Sequence, residues 1–505
     1  MRTTIPILIL LVAAPVTAAV TLPRLISDHM MLQRDVPVRI WGKANPGESV
    51  TVKFRARTVR VRTGPSGRWE AYLPPLPAGG PDDLQIEGDN SITVRDVLVG
   101  EVWVASGQSN MQWRVENSNN AEQEIAAAKY PRLRLFQVKM ATAASPQDDV
   151  EGEWRPCGPE SVGQFSAVGY FFGRQLHTEL AVPVGIVQSA WGGTPAEAWT
   201  SMEALRADPA LDFYLQRWDR VLEAHPAELI RHQRAVKEWE AKAAAAKSAG
   251  QEPPRRPQPP RGPGHQHAPA ALYNAMIAPL TDFNIRGAIW YQGESNAGAD
   301  QAFLYRRLFA AMIQDWRARW RQGDFPFGFV QLANFKTGAN SDWPILRESQ
   351  TETLSLRRTG MAVTTDIGNP DDIHPRNKQE VGKRLALWAL AEVYGKHEVF
   401  SGPMFRQLTR DGATLRLWFD HAGGGLKADG GSLEGFVISG PDRIFHPAEA
   451  RIDGPTVVLT SPAAPEPEAA RYGWADDPAN TLRNAAGLPA SPFRTDRWTN
   501  GVMPK

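Results

Sequence analysis

The pattern of apolar and polar positions divides the chain into regions with different predicted structure. From about residue 20 to residue 97, apolar and polar residues alternate in short segments such as VPVRIWGKA and SVTVKFRARTVRVRT, which Gly and Pro residues separate. Alternation of this kind, with turn residues roughly every 8–12 positions, is typical of antiparallel strands. We therefore predict a small N-terminal β-sandwich over residues 20–97.

The pattern changes after Val97, where short apolar runs begin to alternate with helical stretches. VLVGEVWVA, VPVGIVQSA and IRGAIWYQ have the character of buried strands, whereas SAVGYFFGRQLHTEL and AFLYRRLFAAMIQDWRARW are helical in pattern. Strands that alternate with helices predict an α/β fold with a doubly wound, parallel sheet. We assign this fold to residues 98–208 and 272–399. Strand-like segments then return and predict a β-rich module over residues 400–505.

An insertion interrupts the α/β pattern at residues 209–271. Its first part, from about Asp212 to Ser248, has the composition of a charged helix, and QEPPRRPQPPRGPGHQHAPA follows it. So much Pro and Gly predicts an extended segment without a regular element. His265 and His267 suggest a metal site, but no carboxylate or Cys lies close to them in sequence, so a solvated linker is the favoured interpretation.

The first 19 residues are predicted to be a signal peptide. Arg2 is followed by an apolar run from Ile5 to Ala14 and then by small residues up to Ala19. This is the order of regions in a secretory signal, and an uncleaved membrane anchor is the alternative. Because no later segment is long and apolar enough to span a bilayer, we expect an exported chain, periplasmic or secreted, without membrane contact after cleavage.

Composition argues against several functional classes. Lys and Arg number 56 and Asp and Glu 55, so no overall charge favours binding to nucleic acid or to anionic membranes. Cys157 is the single cysteine, which excludes an intramolecular disulfide and a cysteine zinc cluster. The 17 Trp residues fit either core packing or stacking platforms that bind sugars.

Polar residues follow four of the predicted strands, at the edge where open α/β sheets bind their ligands. The first cluster is SGQSNM, in which Ser109 is either the cap of the next helix or an exposed nucleophile. Met111 stands where the G-x-S-x-G motif has its second Gly, which argues against an α/β-hydrolase elbow. The second cluster is SAWGGT, where Gly192 and Gly193 either offer N–H donors to a ligand or form an ordinary turn.

The other two clusters supply amides, carboxylates and a histidine. QGESN contains Gln292, Glu294 and Asn296, and a Gln or Asn amide there could donate to an oxyanion. In DIGNPDDIHP, Asp371 precedes His374 by three residues, so one turn of chain could bring the carboxylate to the imidazole and leave the other nitrogen for the serine. Solvated loops are the alternative for both clusters, but the four together favour a Ser-His-Asp site without a metal.

These motifs resemble those of the sialate O-acetylesterase family, within the SGNH hydrolases. The resemblance is carried by GQSNM after a strand, SAWGGTPAEAW, WYQGESNA and DDIHPRNKQEVGKRLA. LPRLISDHMMLQRDVPVRIWGKANPGE near the start and RYGWADDPANTLRNAAGLPASPFRTDRW near the end also resemble that family. Nearly the whole mature chain is covered, except the insertion at 209–271, and an SGNH-hydrolase-like fold is implied.

The resemblance implies a role for each cluster. Ser109 matches the nucleophile and His374 the base. Asp371 matches the acid of the D-x-x-H pattern, although Asp372 and Asp366 are close enough in sequence to compete for that role.

The resemblance also implies an oxyanion hole made by the N–H of the nucleophile, Ser109, together with Gly192 and Gln292. Gly193 is the alternative backbone donor. The usual SGNH block has Asn at the last position, so Asn296 is the reserve for Gln292. Asn296 and Glu294 are also the candidates for contacts with the substrate.

The implied activity is that of a serine esterase that removes O-acetyl groups from sugars through an acetyl-serine intermediate, without a metal or cofactor. The expected partner is an acetylated sugar or oligosaccharide. An acetylesterase of plant cell-wall glycans, such as acetylated xylan or xyloglucan, is the main alternative, and a non-catalytic carbohydrate-binding protein is less favoured. Because sialate carries a carboxylate, an Arg near the site would favour sialate as the sugar.

Overall fold

The computed structural model describes residues 19–498 of the chain. The predicted signal peptide at residues 1–19 therefore lies, except for its last residue, outside the described residues. Within the described part, no helix has both the length and the apolar character needed to cross a membrane.

The N-terminal part consists mainly of antiparallel strands, as the alternating pattern predicts; its first strand is the exception, because it pairs in parallel with the later strand Ser91–Gly107. They are β1 to β6, at Met31–Gln33, Val38–Lys43, Ser49–Phe54, Arg57–Arg62, Arg68–Leu73 and Gly79–Glu87. β3 pairs with β4 and β6, and β2 pairs with β5 in a second, two-stranded sheet. The side chains of β5 alternate between exposed and buried, which places Trp69, Ala71 and Leu73 in the core.

One long strand joins these N-terminal strands to the α/β core. β7 spans Ser91–Gly107 and is buried continuously from Val97 onwards. Its first part pairs with β6 and β1, and its last part lies at the centre of the α/β sheet. The domain boundary predicted at residues 97/98 therefore falls inside a strand, because one element crosses from the N-terminal sheet into the core.

The α/β region and its insertion follow β7. In chain order their elements are α1 (Ser109–Gln112), α2 (Ala121–Ala127), β8 (Tyr130–Gln137), β9 (Trp154–Cys157), α3 (Pro159–Val162), α4 (Ala167–Leu180), β10 (Val184–Ala190), α5 (Met202–Ala207), α6 (Asp212–Ser248), β11 (Gly287–Tyr291), α7 (Tyr305–Trp320), β12 (Phe327–Val330), α8 (Trp343–Glu352), β13 (Thr359–Ala362) and α9 (Lys378–Glu392). Short 3-10 turns lie at Val115–Asn117, Ala196–Trp199, Pro209–Leu211, Ala278–Leu280, Glu294–Asn296 and Thr353–Ser355, and a π-helical turn at Tyr273–Ile277.

The central sheet has the strand order β13-β12-β11-β7-β10-β8-β9, and each neighbouring pair is parallel except β8 with β9. From β7 the chain builds one side of the sheet with β8 to β10, and then the other side with β11 to β13. The carboxyl end of β7 therefore lies where the winding reverses, which is the place where such sheets bind ligands. The predicted parallel α/β sheet is confirmed, as part of a larger 11-stranded sheet of mixed direction.

Helices cover this sheet, and side-chain caps define where two of them begin. α4 packs against β8 and β10, and α9 packs against β12, β13 and α4. Ser166 Oγ accepts a hydrogen bond from Gly169 N at the start of α4, at 3.0 Å. Asn377 caps α9 in the same way, which makes Lys378 the first residue of that helix. The loop between β13 and α9 is the fourth of the polar clusters found in the sequence.

The insertion begins with the predicted charged helix, and its Pro-rich part lies against that helix. α6 spans Asp212–Ser248. Trp239 Nε1 donates to the Pro254 carbonyl at 2.6 Å, and His225 Nδ1 lies 2.9 Å from the Arg261 carbonyl. The segment has little regular structure, as predicted, but it is a docked part of the fold rather than the solvated linker expected from its composition.

The C-terminal part is β-rich, as predicted. Its strands are β14 (Met404–Asp411), β15 (Thr414–Asp420), β16 (Leu426–Ala428), β17 (Phe436–Ser439), β18 (Phe445–Pro447), β19 (Glu449–Asp453), β20 (Thr456–Thr460), β21 (Ala469–Tyr472), β22 (Leu482–Asn484) and β23 (Phe493–Arg494), with a 3-10 turn at Asp429–Gly431. They form the sheets β14-β15-β20-β19 and β18-β17-β21-β23 and the pair β16-β22. Leu415, Ile438, Leu459 and Tyr472 belong to a separate core between them.

A buried arginine of α8 ties the C-terminal part to the α/β core. Arg347 is fully buried, and its guanidinium donates to four backbone carbonyls. Two of them, of Leu332 and Ala333, follow β12, and the other two, of Ala475 and Asp476, belong to the C-terminal part; the distances are 2.7–2.9 Å. Because a guanidinium has five donors and no acceptor, it suits a site made only of carbonyls.

The Cys157 thiol and several Trp side chains are buried parts of the core. Cys157 is buried, and burial raises the pKa of its thiol to about 12, so it remains protonated and unreactive at neutral pH. Five Trp side chains are fully buried and pack in the core: Trp69, Trp103, Trp199, Trp290 and Trp316.

Candidate active site

Ser109 lies directly beyond the carboxyl end of the central strand. Gly107, the last residue of β7, has φ of +138°, and a Cβ there would lie 2.2 Å from the Tyr291 carbonyl oxygen, so the position requires Gly. Gln108 N then donates to the same carbonyl at 3.0 Å. α1 begins at Ser109, which is half-buried, while the following Asn110 is buried. The strand end and helix start therefore hold the hydroxyl at the edge of the sheet.

His374 contacts this hydroxyl from the loop between β13 and α9. Its Nε2 lies 2.9 Å from Ser109 Oγ, a hydrogen-bond distance across 265 residues of sequence. The Trp113 ring stacks on the imidazole with a centroid distance of 5.0 Å and an interplanar angle of 13°. Burial, and to a smaller degree the nearby Lys378 ammonium, lower the pKa of His374, so its neutral, basic form is favoured.

The carboxylate nearest to His374 belongs to Asp372, not to the predicted Asp371. Asp372 Oδ1 accepts from the His374 backbone N–H at 2.9 Å and lies 3.8 Å from the imidazole Nδ1, an ion-pair distance. The side chain of Asp371 is 82% exposed, and its carboxylate faces Lys336 Nζ at 3.7 Å. The loop turns so that Asp372 and Asp371 point in different directions. Asp366, the other competitor, forms ion pairs with Arg384 and Arg483.

Gly192 lies against the serine, as the second cluster predicts. A Cβ built on Gly192 would lie 3.3 Å from Ser109 Cβ, so its backbone approaches the nucleophile closely. Gly192 N donates to Gln112 Oε1 at 2.7 Å, and this Gln side chain is partly exposed. A Cβ built on Gly193, by contrast, would meet no atom within 4 Å. Gly192 is therefore better placed than Gly193 to donate to a group bound at Ser109.

The structure argues against the predicted oxyanion role of Gln292. Its side chain is fully buried, and its amide donates to Asn296 Oδ1 at 2.7 Å and to the Thr194 carbonyl at 3.2 Å. Its Oε1 accepts from the Tyr305 hydroxyl at 2.8 Å. Since an amide has two hydrogens to donate, both are used inside the protein. Gln292 instead links the loop after β11 to the loop after β10.

The predicted substrate contacts, Asn296 and Glu294, also have internal partners. Asn296 is fully buried and donates to Glu197 Oε2 at 2.9 Å while it accepts from Ala196 N at 2.9 Å. Glu294 Oε1 accepts from Asn110 Nδ2 at 2.6 Å. Burial raises the pKa of Glu294. Asn296 therefore links loops of the site inside the protein, whereas Glu294 is held through Oε1 and its buried Oε2 has no hydrogen-bond partner among the described residues.

Asn110 and Lys378 are functional candidates that the sequence pattern did not single out. Asn110 donates to Glu294 and to the Ile373 carbonyl, and its Oδ1 accepts from Lys378 Nζ. Lys378 is fully buried, and burial lowers its pKa to about 7. This network joins the residue after Ser109 to the residue before His374. The sequence offered two signals for these residues. Asn110 directly follows Ser109, and Lys378 lies within the motif DDIHPRNKQEVGKRLA.

The site contains the groups of acyl-transfer chemistry. The hydroxyl of Ser109, the imidazole of His374 and the carboxylate of Asp372 follow one another in space, and the N–H of Gly192 lies beside the hydroxyl. Groups of these kinds are the ones that nucleophilic attack on an ester requires. Among residues 19–498, no group of three or more His, Cys, Asp or Glu side chains is arranged to hold a metal ion.

The fold and this site define a carbohydrate esterase. The family model described as "Carbohydrate esterase, sialic acid-specific acetylesterase" matches residues 99–234 and 263–391, and its gap lies within the insertion. The chain belongs to this sialate O-acetylesterase family, whose members are carboxylic ester hydrolases that act on acetylated sugars.

Named relatives agree with this assignment. The chain is 32% identical to sialate O-acetylesterase of Rattus norvegicus, with 94% of each chain covered. It is 33% identical to that of Homo sapiens over 75% of this chain and 72% of the human one. The crystal structure of a carbohydrate acetylesterase from Xanthomonas citri is similar with a TM-score of 0.81 at 41% identity, and the match covers 95% of this chain and 100% of that one.

Proposed function

We propose that the protein is a serine esterase that hydrolyses O-acetyl groups of sugars through an acetyl-serine intermediate. The observation that carries the proposal is the 2.9 Å contact between His374 Nε2 and Ser109 Oγ at the carboxyl end of the central strand. A histidine at this distance can accept the serine proton as general base. We further propose that the catalytic arrangement is that of the SGNH hydrolases, with Asp372 in place of Asp371 as the acid.

Acylation would begin when the acetyl carbonyl carbon lies next to Ser109. Oγ bonds to this carbon while His374 Nε2 takes the hydroxyl proton, and the carbonyl oxygen becomes an oxyanion. We propose the N–H groups of Ser109 and Gly192 as its donors, the latter after the substrate replaces Gln112. Loss of one such donor typically lowers the rate about 100- to 1000-fold. The carbon–oxygen bond to the sugar then breaks, and His374 gives the proton to the leaving sugar oxygen.

Deacylation would use the same groups with water as the nucleophile. His374 takes a proton from water while the water oxygen bonds to the acetyl carbon. The second tetrahedral intermediate then collapses: the bond between this carbon and Ser109 Oγ breaks, His374 gives its proton to Oγ, and acetic acid leaves. Asp372 would hold the imidazole through Nδ1–H and stabilise its protonated form in both steps. No cofactor is needed for this sequence of proton transfers.

Replacing the nucleophile tests the proposal. Ser109→Ala should lower turnover of 4-nitrophenyl acetate by roughly 1000-fold or more, because it removes the only atom that bonds to the acetyl group. The exposed Ser145 offers a matched control, and Ser145→Ala should keep full turnover. Near-normal turnover by a folded Ser109→Ala protein would refute the assignment.

The sugar and the compartment belong to the proposal as well. Mammalian relatives named sialate O-acetylesterase support sialate, whereas the structural neighbour from Xanthomonas citri is named only a carbohydrate acetylesterase. Acetate release from O-acetylated sialic acid and from acetylated xylo-oligosaccharides, compared at equal concentration, decides between sialate and cell-wall glycans. Export through the N-terminal signal peptide is tested by the N-terminal sequence of the protein recovered outside the cytoplasm.

A further inference from the structure

A cavity lies between the insertion and the α/β core, next to the proposed active site. Its volume is about 180 Å³, and its lining includes Tyr214, Arg217 and Trp218 of α6, Arg261 and His267 of the Pro-rich segment, and Ser295. This is less than the roughly 300–1,000 Å³ of pockets for drug-sized ligands, so it has room for part of a substrate only.

The cavity begins one residue after Gly192, whose backbone lies against Ser109. Gly192 packs against Ser109, and Gly193, the next residue, lines the cavity. Consecutive Cα atoms are about 3.8 Å apart, so a ligand that reaches Ser109 can extend directly into this space. On the other side, Ser295 belongs to the loop whose Glu294 supports Asn110, the residue after the nucleophile.

The Pro-rich segment forms one wall of this cavity, and contacts with its neighbours hold it in place. A Cβ on Gly262 would lie 2.2 Å from the His225 ring, so the segment approaches α6 as closely as a backbone can. The Arg261 carbonyl lies 2.9 Å from His225 Nδ1, and the Gly264 carbonyl accepts from Thr142 Oγ1 at 2.9 Å. These contacts fix the position at which Arg261 and His267 face the cavity.

The charge of the lining favours an anion. Within residues 19–498, neither the Arg217 nor the Arg261 guanidinium has a hydrogen bond or an ion pair. Glu197 is the carboxyl group of the lining, and it is buried with its Oε2 bound to Asn296. Burial raises the pKa of Glu197, against the opposing effects of the Asn296 hydrogen bond and of both arginines. Burial lowers the pKa of His267 to about 4, so this imidazole is neutral at neutral pH.

A hydroxyl without a partner points to a missing ligand. Tyr214 is 1% exposed, lines the cavity, and its hydroxyl has no hydrogen-bond partner among the described residues. Buried polar groups in folded proteins almost always have partners, since an unpaired one has lost its hydrogen bonds to water without replacement. A ligand oxygen in the cavity would satisfy it. The ring of Trp218, half-buried in the same lining, offers an apolar surface of the kind against which sugar rings stack.

We infer that this cavity is a subsite for the carboxylate of an acidic sugar whose acetyl group lies at Ser109. Arg217 and Arg261 would neutralise the carboxylate, and the Tyr214 hydroxyl would donate to it. The inference rests on the proposed esterase function and adds the substrate class to it. A sialic acid and a uronic acid both carry such a group, and the experiment below separates them.

The test compares substrates with and without this negative charge. The first pair is O-acetylated sialic acid and its methyl ester, and the second is acetylated xylo-oligosaccharides with and without a glucuronic acid branch. We expect the acid of one pair to have the higher kcat/KM by about 10- to 100-fold, as for hydrogen bonds to a charged group. The pair that shows the difference identifies the sugar. Equal kcat/KM within both pairs would overturn the inference.

Variants of the lining locate the effect. Arg217→Gln, Arg261→Gln and Tyr214→Phe should each raise KM for the preferred acid by about tenfold and leave its neutral counterpart and 4-nitrophenyl acetate unchanged. Tyr214→Phe removes only an unpartnered hydroxyl, so its effect cannot come from a lost internal bond. Arg220→Gln, at an exposed position of the same helix, is the control. Equal losses on the acid, the neutral sugar and the aryl acetate would overturn the subsite.

The subsite and the proposed function can fail separately. Hydrolysis of 4-nitrophenyl acetate that depends on Ser109, without discrimination between acid and neutral sugars, would refute the subsite alone. Turnover that persists in Ser109→Ala would refute the proposed function, whatever the sugar preference.

Discussion

At the scale of single residues, the site depends on where side chains of neighbouring positions point. Asp371 and Asp372 are adjacent and chemically identical, yet one faces Lys336 in solvent and the other lies 3.8 Å from the His374 imidazole. The acid of a triad orients the imidazole and stabilises its protonated form, so distance from Nδ1 decides which carboxylate can act.

The two aspartates give a matched pair of variants. Asp372→Asn should lower kcat for 4-nitrophenyl acetate by about 100-fold or more, because the protonated imidazole loses its carboxylate partner. Asp371→Asn should have little effect, since it alters an exposed side chain far from the imidazole. Steady-state kinetics of the two proteins at one pH measure both. A larger loss for Asp371→Asn would return the role of the acid to that residue.

Lys378 should control the pH dependence of the base. The Lys378 ammonium lowers the pKa of His374, and at the pH where His374 titrates, below its usual value, Lys378 is still protonated because its own pKa is about 7. Removing this positive charge favours the protonated imidazole. Lys378→Met should therefore move the acidic limb of the kcat/KM profile to higher pH.

The exposed Lys383 of the same helix provides the control for this experiment. Lys383→Met should leave the profile unchanged, because a solvated charge is screened. A Lys378→Met profile that keeps its acidic limb in place, or moves it to lower pH, would contradict the electrostatic role.

How much of the site can be predicted from the sequence follows from these residues. The sequence predicts that Ser109 and His374 lie close together because strand ends meet at one edge of a parallel sheet, and the structure brings them into contact. The choice between Asp371 and Asp372 depends on loop dihedral angles, which the sequence pattern does not encode. The surroundings of Gln292 are hidden for a similar reason: a buried amide that is already bonded to Asn296 looks the same in the sequence as a free one.

At the scale of secondary structure, β7 determines where the site lies. The strand runs through the N-terminal sheet and the central sheet and ends at Gly107, so both regions fix the position of Ser109. The sequence predicts the strands themselves from their apolar runs. It does not predict that the segments on both sides of residue 97 form one strand, because alternation gives way to continuous burial within the same element.

The end of β7 offers a prediction about stability. Gly107→Ala should lower the free energy of unfolding by roughly 2 kcal/mol or more, since the position has positive φ and a Cβ would collide with the Tyr291 carbonyl. Gly338→Ala is the control, because a Cβ there meets no atom within 4 Å. Chemical denaturation of both proteins measures the difference, and equal stability would contradict the steric argument.

At the scale of the whole molecule, three parts are held together by buried polar groups as well as by apolar cores. The C-terminal strands have their own core, so their attachment to the α/β region depends on contacts such as those of Arg347. Gln331 Nε2 donates to Ser491 Oγ at 2.9 Å in the same interface. The insertion is also attached by hydrogen bonds: Thr142 Oγ1 donates to the Gly264 carbonyl at 2.9 Å, and Ala270 N donates to the Glu197 carbonyl at 3.0 Å.

Arg347 is the side chain whose loss should weaken the assembly most. Arg347→Met leaves the carbonyls of Leu332 and Ala475 without a donor and removes one of the two donors of the Ala333 and Asp476 carbonyls, so it should lower the free energy of unfolding by about 3 kcal/mol or more. The exposed Arg357 serves as control, and Arg357→Met should change it by less than about 0.5 kcal/mol. Chemical denaturation measures both values, and similar stability of the two variants would contradict the anchoring role.

The most direct test of the central claim is to identify the residue that carries the acetyl group during turnover. An activated ester such as 4-nitrophenyl acetate makes acylation fast, so acid quenching during turnover followed by peptide mass spectrometry should find the acetyl group. The account predicts acetylation of Ser109 in the natural protein, and neither this modification nor turnover in Ser109→Ala. Acetylation of another residue during turnover, or turnover that continues in Ser109→Ala, would contradict it.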